Sequence, residues 1–239
     1  VGGPVAVSGP SCRGGAPPGE HAGLCPQAPK GSGDLAGKWP RSGPVGGEIS
    51  ALFEGFGTRF RIPVLVSRHS QTSVMGLFAL VNGVLSIALM SMAAVVTGQA
   101  FIFPSLGPTA FLLFYTPTLP AACPRNTIFG HAIGVAAGYL ALVIFGLTEA
   151  APALATEVTW PRVGAAAVSL GLTSGFMVWF KVPHPPAGAT TLIVSLGILK
   201  TPAQLTVLMI AVVLMVGQGM VINRLAGIDY PSWAPRRPA

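Results

Sequence analysis

Between Arg68 and Arg125 the chain runs through positions 69–124, 56 residues, without one Lys, Arg, Asp or Glu. A soluble domain carries about one charged residue in four, so a stretch this long belongs in lipid. One bilayer crossing takes about 20 apolar residues, and this stretch has room for two. Further charge-free runs occupy 126–148, 163–180, 182–199 and 201–223. Together they supply material for six crossings. Of all 239 residues 51% are hydrophobic and 9% charged, which excludes an ordinary water-soluble globule. It also removes nucleic acid as the partner implied by the net charge of +7, because the basic residues flank apolar runs, where they orient a chain in a membrane.

Four of the runs read as ordinary transmembrane helices: 73–97, 127–148, 163–180 and 203–223. Gly130, Gly134 and Gly138 fall four apart, as do Gly171 and Gly175. That spacing puts small residues on one helix face, where a neighbouring backbone can approach closely. The other two runs are broken. Residues 100–118 read AFIFPSLGPTAFLLFYTPT and residues 182–200 read VPHPPAGATTLIVSLGILK, so each opens on prolines and a glycine before a short apolar stretch. Proline removes a backbone donor and clashes within a helix interior, and irregular backbone at membrane depth survives only inside protein or beside a wet cavity.

The broken runs resemble each other. Pro104, Gly107 and Thr109 align with Pro185, Gly188 and Thr190 in a shared P-x-x-G-x-T, and each copy sits between two ordinary helices. The expectation is therefore an all-α, polytopic bundle of four full helices and two Pro/Gly-broken segments, arranged as two repeats, 73–148 and 163–223. Charge placement chooses the topology. With six crossings, Arg59, Arg61, Arg68, Arg125, Lys181, Arg224, Arg236 and Arg237 share one side, while Glu149, Glu157, Arg162 and Lys200 share the other. The positive-inside rule prefers this to four crossings with re-entrant breaks.

Three crossings per repeat make the repeats inverted. In transporters of that plan, two discontinuous helices meet near the midplane and aim their N-termini at an anion, because the first turn carries unpaired N–H groups and about half a positive charge. On this reading Pro104, Pro108, Pro185 and Pro186 make the structural breaks. Ser105, Thr109, Thr190 and Thr191 offer hydroxyls, and Gly107 and Gly188 leave backbone open to an anion. A tight crossover with no ligand is the competing reading of the same prolines and glycines.

The segment HPPAGATTL at 184–192 resembles the signature of the HPP family of integral membrane proteins, named for its His-Pro-Pro motif. FPSLGPTAFLLF at 103–114 and PRNTIFGH at 124–131 are similar to the family's other recurrent blocks, so the resemblance covers about 73–223. The family is usually described with four transmembrane helices. Plant and cyanobacterial members are linked to nitrite transport, in plants at the chloroplast envelope. The resemblance thus implies a carrier of nitrite or a similar small inorganic anion, with a plastid inner envelope or a plasma membrane as its location.

Four further residues carry polar chemistry. Arg125 could meet an anion at the mouth or serve only as a positive-inside anchor. Asn126 is expected to cap a helix starting at Thr127. His131, one turn into that helix, and His184, at the second break, could pass a proton with the anion, or stay neutral on a backbone carbonyl. No enzyme is expected: HExxH, GxSxG and GxxxxGK[ST] are absent, and Glu149, Glu157 and Asp229 lie outside the spans. Cys12, Cys25 and Cys123 show no metal spacing, so no metal or cofactor is expected. A two-histidine metal site from His131 and His184 lacks an obvious third ligand. A non-transporting scaffold or sensor remains the alternative function, and carrier and channel are not separable at this level.

The Gly/Pro-rich residues 1–47 read as a disordered tail and a candidate targeting segment. Residues 48–72 place Ile49, Leu52, Phe53, Phe56 and Phe60 at roughly helical spacing, as an interfacial segment would. Residues 224–239, with Trp233, Arg236 and Arg237, read as a basic interfacial tail. The glycine faces also offer contact surfaces for a homodimer.

Overall fold

Charge-free Leu-, Val- and Ala-rich sequence becomes helix until a proline or glycine stops it, and the computed structural model follows that rule through residues 61–235, the part described here. Among the described residues all regular structure is helical. A short α1 (Ile62–Arg68) leads into α2 (Gln71–Thr97), which stops at Gly98 in the left-handed conformation, φ +64°. α3 (Leu106–Tyr115) and a single 3₁₀ turn (Pro120–Ala122) follow, then α4 (Pro124–Ile144), α5 (Trp160–Trp179), α6 (Ala187–Ser195) and α7 (Pro202–Leu225). Proline occupies the first or second position of α4, α5 and α7, where its missing N–H would have no intrahelical partner anyway. At α7, Thr201 and Gln204 also form a reciprocal capping box.

The chain is an integral membrane protein, and α2, α4 and α7 are long and apolar enough to cross a bilayer. The expected fourth such helix is corrected: α5 has 20 residues but is less apolar. Its first turn carries Arg162, which is buried, and Ser169 and Thr173 also point inward. The lipid-like surface is plain on α2, where Leu77, Leu80, Val84, Val95 and Val96 are all exposed.

Both Pro/Gly-rich runs lead through non-helical chain and a turn into a short helix, ten residues in α3 and nine in α6. At 1.5 Å per residue each spans about half of a ~30 Å hydrocarbon layer. Pro108 sits in the first turn of α3, where it breaks no hydrogen bond, and Pro185 and Pro186 immediately precede α6.

Each short helix rests on its own pair of long ones. α3 lies against α2 and α7, and α6 lies against α4 and α5; α4 also meets α5 and α7, and α7 meets α2. Around α3 the packing is apolar: Phe103, Leu106, Ala110, Leu113 and Phe114 meet Leu208, Ala211, Val212 and Met215. Around α6 it depends on glycine. A Cβ on Gly130 would stand 2.7 Å from His184 Cβ, one on Gly134 would stand 2.7 Å from the Ala187 carbonyl oxygen, and one on Gly138 would stand 2.9 Å from the Thr191 carbonyl oxygen. The close approach expected of this stripe is present. Gly171 and Gly175 differ, because an added Cβ would meet nothing at Gly171 and only Trp179 of the same helix at Gly175.

Several basic residues hold backbone carbonyls at the ends of the helices. Arg125 Nη2 donates to the Lys181 carbonyl at 2.9 Å, and the Ile62 amide donates to the Ala226 carbonyl at 2.9 Å. Beyond the far end of α4, Lys200 Nζ donates to the Ala150 carbonyl at 2.9 Å, and Arg162 donates to the carbonyls of Ala151 and Ser195 at 2.8 and 3.1 Å. The first part of the C-terminal tail folds back on the start of α4: the Tyr230 hydroxyl donates to the Ala122 carbonyl at 2.6 Å, and Trp233 packs edge-on to Phe129. The tail at 1–47, most of the interfacial segment at 48–72, and Arg236 and Arg237 lie outside the described residues.

Candidate functional site

His131 reaches the interior because it follows Gly130 on the glycine face of α4, the face that seats the approach to α6. His184 lies three residues ahead of Ala187, in the non-helical entry to α6, and that entry is pressed against Gly130. The rings meet with their centres 4.9 Å apart and their Nε2 atoms 3.2 Å apart. Thr109, from the first turn of α3, closes the group: its Oγ1 lies 3.0 Å from His131 Nε2 and 3.4 Å from His184 Nε2.

A second layer of partners fixes these side chains. Thr190 Oγ1 is 2.7 Å from His131 Nδ1 and donates to Ser105 Oγ at 2.8 Å. Thr109 Oγ1 donates to the Ser105 carbonyl at 2.9 Å. His184 Nδ1 lies 2.7 Å from the Ala121 carbonyl oxygen, with Thr127 Oγ1 at 3.4 Å. Ser105, Thr109, Thr127, His131, His184 and Thr190 have no exposed surface. A buried polar group is tolerated only when hydrogen-bonded, and each of these has a partner.

Of the residues singled out in the sequence, the structure therefore brings Ser105, Thr109, His131, His184 and Thr190 to one point. It places the others elsewhere. Gly107 is exposed with open space around its Cα, and a Cβ on Gly188 would meet only a methyl of Leu170 at 3.3 Å. Thr191 points to the interface with α5, where its hydroxyl lies 2.7 Å from that of Thr173. Arg125 stands at the bundle end beside a pocket of about 450 Å³ lined by Phe129, Ile133, Phe180 and Val182. Asn126 does not cap: Cys123 holds that position, α4 begins at Pro124, and the Asn126 amide donates to the Pro120 carbonyl at 2.9 Å while its oxygen accepts from Arg125 Nε at 3.1 Å. The extra turn forms because a proline opens it, a signal outweighed in the sequence by the asparagine.

Three contributors carried no sequence signal. The Ala121 carbonyl is backbone in a 3₁₀ turn, and Thr127 looks like any span threonine. Arg162 reads as a loop charge, yet it is only 4% exposed and holds the C-terminal end of α6 through Ser195, where a cation complements the helix dipole.

The model of the HPP transmembrane region matches residues 68–231, which hold the whole of this centre. Two transmembrane proteins of Dictyostelium discoideum are similar to the chain: one is 36% identical over 112 residues, 46% of this chain and 33% of the relative. The other is 30% identical over 118 residues, 49% of this chain and 38% of the relative. The chain thus matches about a third of the length of one relative and under two fifths of the other, and no solved structure matches it. With the match spanning both breaks, the paired histidines and the helices that seat them, the chain belongs to the HPP family of transmembrane proteins.

Proposed function

We propose that this protein moves a small inorganic anion, with nitrite the first candidate, through the centre where its two short helices begin. The observation that carries the reading is the bond between Ser105 Oγ and Thr190 Oγ1, 2.8 Å, which ties the start of α3 to the first turn of α6. Two half-length helices from different parts of the chain start side by side at a buried polar point, the arrangement in which discontinuous helices hold an anionic substrate.

The packing supports two inverted repeats of helix, broken segment and helix. Exchanging α2, α3 and α4 for α5, α6 and α7 turns each contacting pair named above into a contacting pair, with α4 against α7 mapping onto itself. It supports six crossings as well. α4 runs from Arg125 to the end near Ala150, and the segment from Lys181 to Lys200 meets the same two ends, as a crossing second break would. The centre is sealed from both sides in this conformation. In the transport cycle the two halves part alternately around it, and the pocket beside Arg125 is the mouth on the basic side. The chloroplast inner envelope is the membrane that the plant members imply.

The test is nitrite flux into proteoliposomes holding the full chain, with and without an imposed pH gradient, against nitrate, formate and chloride. Saturable uptake that falls at least tenfold in Thr190→Val and His184→Ala supports the reading, and acceleration by an inward proton gradient adds a proton to the cycle. A folded protein that moves none of the four anions refutes transport and leaves a membrane scaffold or sensor.

A further inference from the structure

The 3₁₀ turn that precedes α4 is tied at each of its three residues. The Asn126 amide donates to the Pro120 carbonyl at 2.9 Å, His184 Nδ1 lies 2.7 Å from the Ala121 carbonyl oxygen, and the Tyr230 hydroxyl donates to the Ala122 carbonyl at 2.6 Å. Three successive carbonyls thus meet side chains from three segments: α4, the entry to α6 and the chain after α7. A single 3₁₀ turn makes few and poorly aligned bonds of its own, so these outside partners set its position.

The turn covers the centre on the basic side. α4 enters from that end at Pro124, and His131 lies seven residues along it, about 10 Å deeper. The turn comes immediately before α4, with the Ala121 oxygen resting on His184, and Ala122 and Cys123 have no exposed surface. The chain after α7 holds the same place from the other side. The Trp233 carbonyl accepts from the Arg125 amide at 3.0 Å, Ser232 Oγ accepts from Arg224 Nη2 at 2.9 Å, and the Trp233 ring packs edge-on to Phe129. The Arg125 amide is a first-turn donor with no partner inside its own helix, and Phe129 lines the pocket at the basic-side mouth. One short segment therefore grips the turn, the start of α4 and the mouth.

We propose that the Pro120–Ala122 turn is the basic-side gate of the centre, and that Tyr230 and Trp233 are its latch. The inference rests on the transport reading and adds how that site opens: the turn lifts when its bonds to Tyr230 and Asn126 break. His184 links gate to cargo, because the ring that faces Thr109 and His131 through Nε2 meets the turn through Nδ1. An anion in the centre favours the neutral tautomer with its proton on Nε2. Nδ1 is then bare beside the Ala121 oxygen, which only accepts, and the gate loses that tie.

Cys123 reports on the gate, since it follows the turn directly and is a buried free thiol. The full chain with Cys12→Ser and Cys25→Ser is placed in lipid nanodiscs, and the rate of maleimide labelling at Cys123 is followed without denaturant. Tyr230→Phe should label roughly 2–13-fold faster than this parent, the effect of one neutral hydrogen bond on a closed–open equilibrium. Asn126→Ala, which frees the other edge of the turn, should also label faster, so the test does not depend on one variant folding. Thr191→Val loses a bond between α5 and α6 instead and should label at the parent rate, because the opening is local. A parent rate in either folded gate variant overturns the proposal. So does equal acceleration in Thr191→Val, because Cys123 would then be reached only by unfolding of the bundle. Labelling uses no nitrite, so the two readings fail separately: local opening without flux refutes transport alone, and flux without local opening refutes the gate alone.

Discussion

Gly134→Ala tests whether α6 is seated by backbone contact, as the glycine stripe implies. The new Cβ would lie 2.7 Å from the Ala187 carbonyl oxygen, 3.0 Å from Thr191 Oγ1 and 3.4 Å from the Thr191 nitrogen. The closest of these is backbone, so relief requires α6 to withdraw by roughly 0.7 Å to reach ordinary contact distance, and a gap of 0.5–1 Å forfeits a quarter to a half of each dispersion contact around it. Overpacking of this kind costs about 1–3 kcal/mol. Against it stands the helix preference for Ala over Gly, about 1 kcal/mol, so the net loss is about 1–2 kcal/mol when the strain falls in the upper part of that range. Gly83→Ala in α2 is the control, because a Cβ there meets nothing within 4 Å and gains the same helix preference without strain. The difference between the two variants isolates the packing cost at about 1–3 kcal/mol. Reversible unfolding in mixed detergent and SDS micelles, followed by far-UV circular dichroism, measures it. Two variants equal within about 0.5 kcal/mol, an ordinary scatter for neutral sites, would refute the claim that Gly134 seats α6.

Arg162→Ala leaves the Ser195 and Ala151 carbonyls without their charged donor and should destabilise by about 1.5–3 kcal/mol per bond lost; Arg162→Lys should restore part of this in the same unfolding titration. Tyr230→Phe removes the 2.6 Å bond to the Ala122 carbonyl and should cost about 0.5–1.5 kcal/mol. Burial pushes the Tyr230 phenol well above its ordinary value, so its contribution is complete below a pH of about 10 and declines above it, as the unfolded chain ionises first. An alkaline unfolding series should show that decline in the wild type and not in Tyr230→Phe. Thr191→Val should lose about 1 kcal/mol with the Thr173 bond while leaving nitrite flux within twofold of wild type, whereas Thr190→Val should lose the flux; equal flux losses in both would place Thr191 at the transport centre after all.

The elements were legible because lipid makes simple demands. A charge-free run must satisfy its own backbone as helix, and Pro202 and Gly98 mark a start and a stop to within a residue, whereas the start at Pro124 stayed hidden behind Asn126. Ser105, Thr109 and Thr190 could be read because prolines marked where the chain must break, and His131 and His184 because an imidazole in an apolar run stands out. What could not be read was direction. Thr190 and Thr191 are adjacent and chemically alike, yet 100° of helical rotation sends one to the histidines and the other to Thr173. Gly107 and Gly188 suggested backbone open to a ligand, but neither faces the centre; at Gly130, Gly134 and Gly138 the close approach was legible, and which helix makes it was not, because that helix comes from far along the chain. Arg162 was opaque for the same reason, since its partners are carbonyls that any sequence would supply.

On the duplicated reading, the two halves have kept the same frame and diverged in what fills it. Aligning the breaks at Pro104 and Pro185 sets Phe103 opposite His184, and aligning the following helices at Pro124 and Pro202 sets Met209 opposite His131 and Leu208, Val212 and Val216 opposite Gly130, Gly134 and Gly138. The structure gives both sets physical sense. Phe103, Leu208 and Val212 belong to the apolar cluster in which α3 is held, with Met209 packed against it, whereas the glycines let α6 sink until its entry places His184 against His131. Bulk on α7 and its absence on α4 thus decide on which side a polar group can form. A second histidine pair in the other half would need glycine where Leu208 and Val212 now fill the core, at a cost of about 2–5 kcal/mol for each large side chain removed. On that reading the frame is twofold but the packing leaves room for one such polar centre, beside the glycines of α4, and fills the corresponding place on α7 with side chains.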